Sequence, residues 1–147
     1  MKKVSAFDVA NYINEKLGKL TAMKLQKLVY YSQAWSLVWD EDVLFEEEIQ
    51  AWANGPVVPL LYQAHKGKYQ IPPSGFKNGN SSNLTEEQKE TVDKIIKFYG
   101  KYNSQQLSDL THMEAPWKDA RKEMVDGERG SEVISLEKMS EYYSSIQ

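Results

Sequence analysis

Residues Lys24–Tyr62 read KLQKLVYYSQAWSLVWDEDVLFEEEIQAWANGPVVPLLY. Wound at 3.6 residues per turn, the first half is apolar nearly all round. Leu25, Leu28, Val29 and Trp35 mark one face, and Tyr30, Tyr31, Ala34, Leu37 and Val38 fill most of the rest. A helix without a polar face is usually buried among other helices. The stretch therefore predicts a mainly helical domain built round a central helix over residues 21–38. The second half changes character. Leu44-Phe45 and Ile49–Ala53 read as two short strands of a small hairpin, with Ile49, Ala51 and Ala53 alternating with Gln50 and Trp52. Asn54-Gly55-Pro56 stops that pattern. Asn-Gly reaches positive φ cheaply, and Pro56 is placed to open a helix over residues 57–66.

Working outward, Ser5 is a natural N-cap for a helix over residues 5–16. Ala6, Ala10, Ile13 and Leu17 form its apolar stripe and Gly18 ends it. Residues 67–83 are rich in Gly and Pro and read as a long mobile loop. Thr85 with Gln88 forms a capping box for a helix to Tyr99, whose Val92, Ile95, Ile96 and Tyr99 share one face. Ser104 caps a short helix to Leu110, and Pro116 opens another to Val125. Gly127–Gly130 is a turn. A last helix spans Ser135–Ser144, with Leu136, Met139 and Tyr143 inward. The fold class expected is mainly α: one compact domain over residues 1–147, about seven helices and a short β-hairpin.

Composition narrows the function classes. With 41% hydrophobic and 12% aromatic residues the chain is not of the disordered type. Eighteen basic against 21 acidic residues leave no general footprint for nucleic acid. Residues 39–65 nevertheless carry six acids and no Lys or Arg, which would suit a basic partner. There is no Cys for disulfides or thiolate sites. Met1-Lys2-Lys3 leads into a polar amphipathic stretch, and Lys24, Gln26, Lys27 and Gln33 interrupt the apolar run of residues 20–38. A cytoplasmic protein without a membrane span is expected.

Catalytic patterns are missing. The sequence holds two histidines, His65 and His112, far apart. His112-Met113-Glu114 echoes the H-x-E element of zinc deaminases without the cysteines that complete it. No phosphate-binding glycine loop and no nucleophile elbow occurs. The clusters Glu46–Glu48 and Glu86-Glu87 read as solvated or helix-dipole carboxylates. The expectation is a protein that is not an enzyme and has no cofactor and no metal site. A helix-turn-helix is weighed against this, since Lys24, Gln26 and Lys27 suit DNA. The remainder of that helix is too apolar for a recognition helix, so nucleic acid is not the expected partner.

Two motifs carry a family resemblance. The first comprises Leu25-Gln-Lys-Leu28, Tyr30-Tyr31, Gln33-Ala34-Trp35, Leu44-Phe45, Ile49 with Ala51-Trp52, and Asn54-Gly-Pro-Val-Val-Pro59 with Tyr62. The second is Leu107-Ser-Asp-Leu-Thr-His-Met-Glu-Ala-Pro-Trp117. Together they resemble the Panacea antitoxin domain, also known from SocA-like proteolytic adaptors and phage-associated GepA-like proteins, over about residues 5–125. The resemblance implies an antitoxin of a toxin–antitoxin module, neutralising by direct binding a protein toxin encoded by an adjacent gene. It also implies two alternatives: an adaptor that hands the toxin to an ATP-dependent protease, and a phage or mobile-element regulator that binds nucleic acid.

Side-chain types then sort the motif residues. Leu25, Leu28, Trp35 and Trp117 read as core, and Tyr31 and Pro116 as structural motif residues. Asn54, Gly55 and Pro56 read as backbone geometry. His112 is expected to bridge the turn before Pro116 and lock the two motifs together. Binding hot spots favour large aromatics. The expected partner face is therefore Trp52, on the polar-alternating side of the hairpin, with Tyr62 and the acidic edge Glu46, Glu47 and Glu48.

Overall fold

Ser5 accepts the N–H of Asp8 while Asp8 accepts that of Ser5, and this reciprocal cap opens helix α1, Ala6–Leu17. Gly18, at φ 82°, ends it. The computed structural model describes residues 3–125 and 127–147. After α1 come β1 (Leu20–Thr21), the long helix α2 (Ala22–Trp39), β2 (Gln50–Trp52), β3 (Gly55–Val57), α3 (Pro59–His65) and β4 (Gln70–Ile71). A short 3-10 turn at Ser81–Asn83 leads to α4 (Glu86–Tyr99), α5 (Ser104–His112), α6 (Ala115–Ala120) and α7 (Leu136–Ile146). The class is mainly α, as the sequence predicts.

Helix α2 is the axis. It packs against α1, α4, α5 and α7, and every residue from Leu25 to Ser36 is buried. Burial on all sides includes polar residues, which then need internal partners. Two glutamines seven residues apart meet that need in the same way. Gln33 accepts the N–H of Leu44 at 2.8 Å and donates to the carbonyl of Phe45 at 2.6 Å. Gln26 accepts the N–H of Val58 at 2.9 Å and donates to its carbonyl at 3.3 Å. Each amide replaces a backbone partner for an irregular segment running past the helix.

That explains where the hairpin differs from expectation. Leu44 and Phe45 are not a strand. Their backbone groups are satisfied by Gln33, and their side chains sit in the core. The hairpin forms instead between β2 and β3, with Gln50 opposite Val57, Ala51 opposite Pro56 and Trp52 opposite Gly55. Pro56 is tolerated there because its partner Ala51 sends its own N–H the other way, to the Glu132 carbonyl at 2.8 Å. Ile134 likewise donates to the Ile49 carbonyl, so residues 132–134 flank β2 on its second edge. Pro59, not Pro56, opens α3.

The long Gly- and Pro-rich segment is tied down. β4 pairs with β1, and the Asn11 side chain accepts from the Phe76 N–H and donates to the Phe76 carbonyl. Asp8 accepts from Asn80 and Asn83. Gly79 lets this happen, since a Cβ there would lie 2.4 Å from the Phe7 carbonyl. Two smaller boundaries also shift. Asn103 rather than Ser104 caps α5, and α6 ends at Ala120, where the buried Arg121 turns inward.

Candidate functional site

Helices α5 and α6 present polar groups at four-residue spacing, which places each pair on one helix face. Ser108 and His112 form one pair, Trp117 and Arg121 the other. Three of the four, Ser108, Trp117 and Arg121, hydrogen-bond the same hairpin. Ser108 Oγ donates to the Asn54 carbonyl at 2.7 Å. Trp117 Nε1 donates to the Trp52 carbonyl at 2.8 Å, and Arg121 Nη1 donates to the Ala51 carbonyl at 2.8 Å. Carbonyls 51, 52 and 54 are therefore each capped by a side-chain donor. His112 and Trp117 stack at 3.9 Å, and the Arg121 guanidinium lies over the Trp117 ring. His112 reaches the brace through that stack, and among the described residues its buried Nε2 has no hydrogen-bond partner. Arg121 also donates to the carbonyls of Glu128 and Arg129, which ties those two residues to the brace.

The other side of the hairpin carries the aromatic mouth of a cavity of about 400 Å³. Trp52 meets Tyr62 edge-on at 4.9 Å, and the Arg129 guanidinium sits 5.2 Å over the Trp52 ring. Gln50 Oε1 accepts from Trp52 Nε1 at 2.8 Å, and Gln50 Nε2 donates to Glu48 at 2.6 Å. Trp52, Tyr62 and Glu48 are thereby brought together. Glu46 and Glu47 are not. Glu46 pairs with Lys3, and Glu47 accepts the Ala6 N–H at the start of α1, where a carboxylate is favoured. Trp52 and Tyr62 are half-buried rather than fully exposed.

The cavity floor is Lys27, only 1% exposed. It has no hydrogen bond or ion pair among the described residues, and burial pushes its ammonium down to about 7. Gly55 makes room for its stem. At φ 122° it lies so close that a Cβ there would stand 2.5 Å from Lys27 Cε. His65 closes one wall. Its Nε2 lies 3.0 Å from the Gln26 amide nitrogen, whose other end is fixed on Val58, so the ring accepts and is held neutral, and burial lowers its basicity.

Leu25, Leu28, Tyr31, Trp35 and Pro116 are buried, and Trp117 is half-buried against the core. Sequence reasoning missed Gln26, Lys27, Gln33, Glu114 and Arg121. Glu114 is buried and accepts from Tyr31 at 2.8 Å and from Tyr143 at 2.7 Å. Burial raises its carboxyl above the usual range. Its partners lie far away in sequence, so nothing local signals the cluster. Gln26 and Lys27, two of the three residues that suited DNA, are interior. The third, Lys24, donates to the Gly100 carbonyl at 2.6 Å. Among the described residues no group of three or more His, Cys, Asp or Glu is placed to hold a metal ion. No described helix is long and apolar enough to cross a membrane.

A comparison with family models matches residues 25–118 to the SocA-like antitoxin, Panacea domain. The match begins at the helix that carries the two glutamines and ends one residue past Trp117, so it spans both the hairpin and most of its brace. No curated protein and no solved structure matches this chain.

Proposed function

The chain belongs to the SocA-like Panacea antitoxin family, and on that footing we propose that it neutralises a protein toxin by binding it directly, without catalysing a reaction. The observation that carries the reading is the family match across both motifs. The architecture supports it. The two motifs converge on one rigid hairpin that holds an aromatic pair, Trp52 and Tyr62, at a cavity mouth. Hot spots gather round aromatics of this kind on preorganised backbone. The interior position of Gln26 and Lys27 argues against a nucleic-acid-reading helix.

The test is growth rescue. The gene adjacent to this one is induced with and without the chain, and the two products are pulled down together. Rescue with a stable stoichiometric complex supports sequestration. Rescue with disappearance of the toxin supports delivery to an ATP-dependent protease instead. A harmless neighbour that does not co-purify overturns the reading.

A further inference from the structure

We propose that the cavity behind Trp52 and Tyr62 is a binding site for a carboxylate group, with the Lys27 ammonium as counterion and the two rings gripping the apolar stem that bears it. The first observation is the charge balance of the cavity. A buried ammonium is normally paired, yet Lys27 has no partner among the described residues while it lines an open cavity. The groups around it come from every neighbouring element: Gln26 on its own helix, Tyr62 and His65 on α3, Asn54 on the hairpin, His112 on α5, and Arg129. None of them is acidic. The cavity therefore offers positive charge and aromatic surface, and lacks only the anion. Burial without a counterion depresses the ammonium, and a bound anion would restore it.

The second observation is which donors remain free. The Gln26 amide is committed to Val58 and His65, and His65 Nε2 to Gln26. What is left is Lys27 Nζ at the floor, the Asn54 side chain and the Tyr62 hydroxyl at the rim, and Arg129 above Trp52. Of the two cations only Lys27 is interior, Arg129 being exposed, and its one charge matches the single charge of a carboxylate better than the nearly two charges of a phosphate monoester. The volume fits a small ligand or one inserted side chain or chain terminus. Gly55 shows that the hairpin is shaped round this lysine, since no side chain could occupy its position without displacing the Lys27 stem.

The site does not depend on the toxin partner, because the carboxylate can belong to a polypeptide or to a free acid. The full chain is titrated by NMR, reading the Trp52 indole and Asn54 amide signals. The probes are 3-phenylpropionate, an acetylated peptide ending in a free C-terminal Phe, an amidated peptide with one internal Glu, and inorganic phosphate. The amides of the first two probes serve as neutral controls. We expect at least one carboxylate to shift both signals, and its neutral counterpart to bind at least about tenfold more weakly. Lys27→Met should lose the preference for the charged form. The tightest of the three carboxylates names the source. Should Lys27→Met not fold, the acid-against-amide comparison on the wild-type chain decides alone. Equal binding of acid and amide, tighter binding of phosphate, or no carboxylate binding up to about 10 mM overturns the proposal.

Discussion

An ammonium buried without a counterion works against the fold that holds it, so Lys27 makes a prediction about stability with a defined sign. Its folded-state value is lowered to about 7 from 10.5. Between these two values the unfolded chain binds more protons than the folded one. Stability must then rise as pH climbs through that window, and below about 7 the cost of burying the charge is present in full. A tenfold weakening of proton binding corresponds to about 1.4 kcal/mol. Replacing the lysine by an apolar side chain of similar length removes the cost. Lys27→Met is expected to stabilise the protein by about 2–4 kcal/mol at pH 6, and the gain should shrink toward pH 10. Urea midpoints of both proteins across that range check it, and an unchanged or lower midpoint for Lys27→Met at pH 6 refutes it. Glu114 predicts the opposite response to truncation, because its partners already satisfy it. Removing the Tyr143 hydroxyl leaves Glu114 and Tyr30 each short of a bond. Tyr143→Phe should cost about 1–3 kcal/mol. In a Glu114→Gln background the same change should cost less, since contacting residues do not act additively.

Among the elements, the hairpin depends on its brace. A pair of three-residue strands has little stability of its own. What holds it is the row of side-chain donors at carbonyls 51, 52 and 54. Trp117→Phe keeps a ring against His112 but deletes the indole donor to Trp52. It should cost about 1–2 kcal/mol and raise hydrogen exchange at β2 and β3 more than in α2. Gly55→Ala should cost more, about 2–4 kcal/mol, because it combines a φ of 122° with the clash against Lys27. Part of that cost should vanish in Lys27→Ala, which a double-mutant cycle reads directly. The same elements show how far local sequence reaches. Helix α2 is legible because an all-round apolar pattern has one physical meaning. The caps at Ser5 and Thr85 are legible because the motif is local. The hairpin pairing is misleading at Leu44-Phe45 because a glutamine eleven or twelve residues away replaces a strand, and alternation cannot reveal that. Lys27 reads as a surface cation because a polar residue in an apolar helix looks like its solvent edge. Only the surrounding fold shows that no such edge exists.

At the scale of the molecule, the two motifs are one device, and the acidic stretch of residues 39–65 is not a single patch. Glu46 answers Lys3, Glu47 serves α1, and Glu48 supports Gln50 under Trp52. Steering by that stretch should therefore be weak, since an exposed pair such as Lys3–Glu46 contributes little. A second surface competes for the role of partner face. Trp35, Trp39, Phe98, Tyr102 and Ile146 line a groove of about 700 Å³ edged by Lys94, Lys97 and Lys101. It is larger than the Trp52 cavity, and lysines lie over its rings as Arg129 lies over Trp52. The hairpin anchor is fixed by its own contacts, Trp52 Nε1 on Gln50 and the Trp52 carbonyl under Trp117, and preorganisation is what makes an aromatic anchor effective. Trp52→Ala with Tyr62→Ala is thus expected to weaken toxin binding at least about a hundredfold and to abolish rescue, since truncating two hot-spot aromatics costs more than about 2 kcal/mol. Phe98→Ala should change affinity less than about threefold, and Glu46→Lys should slow association slightly at low salt without loss of rescue. Each variant is checked for an unchanged circular dichroism spectrum before its affinity is measured. The reverse pattern, with Phe98→Ala crippling and the hairpin pair neutral, would move the interface to the lysine-edged groove and leave the braced hairpin with a structural role alone.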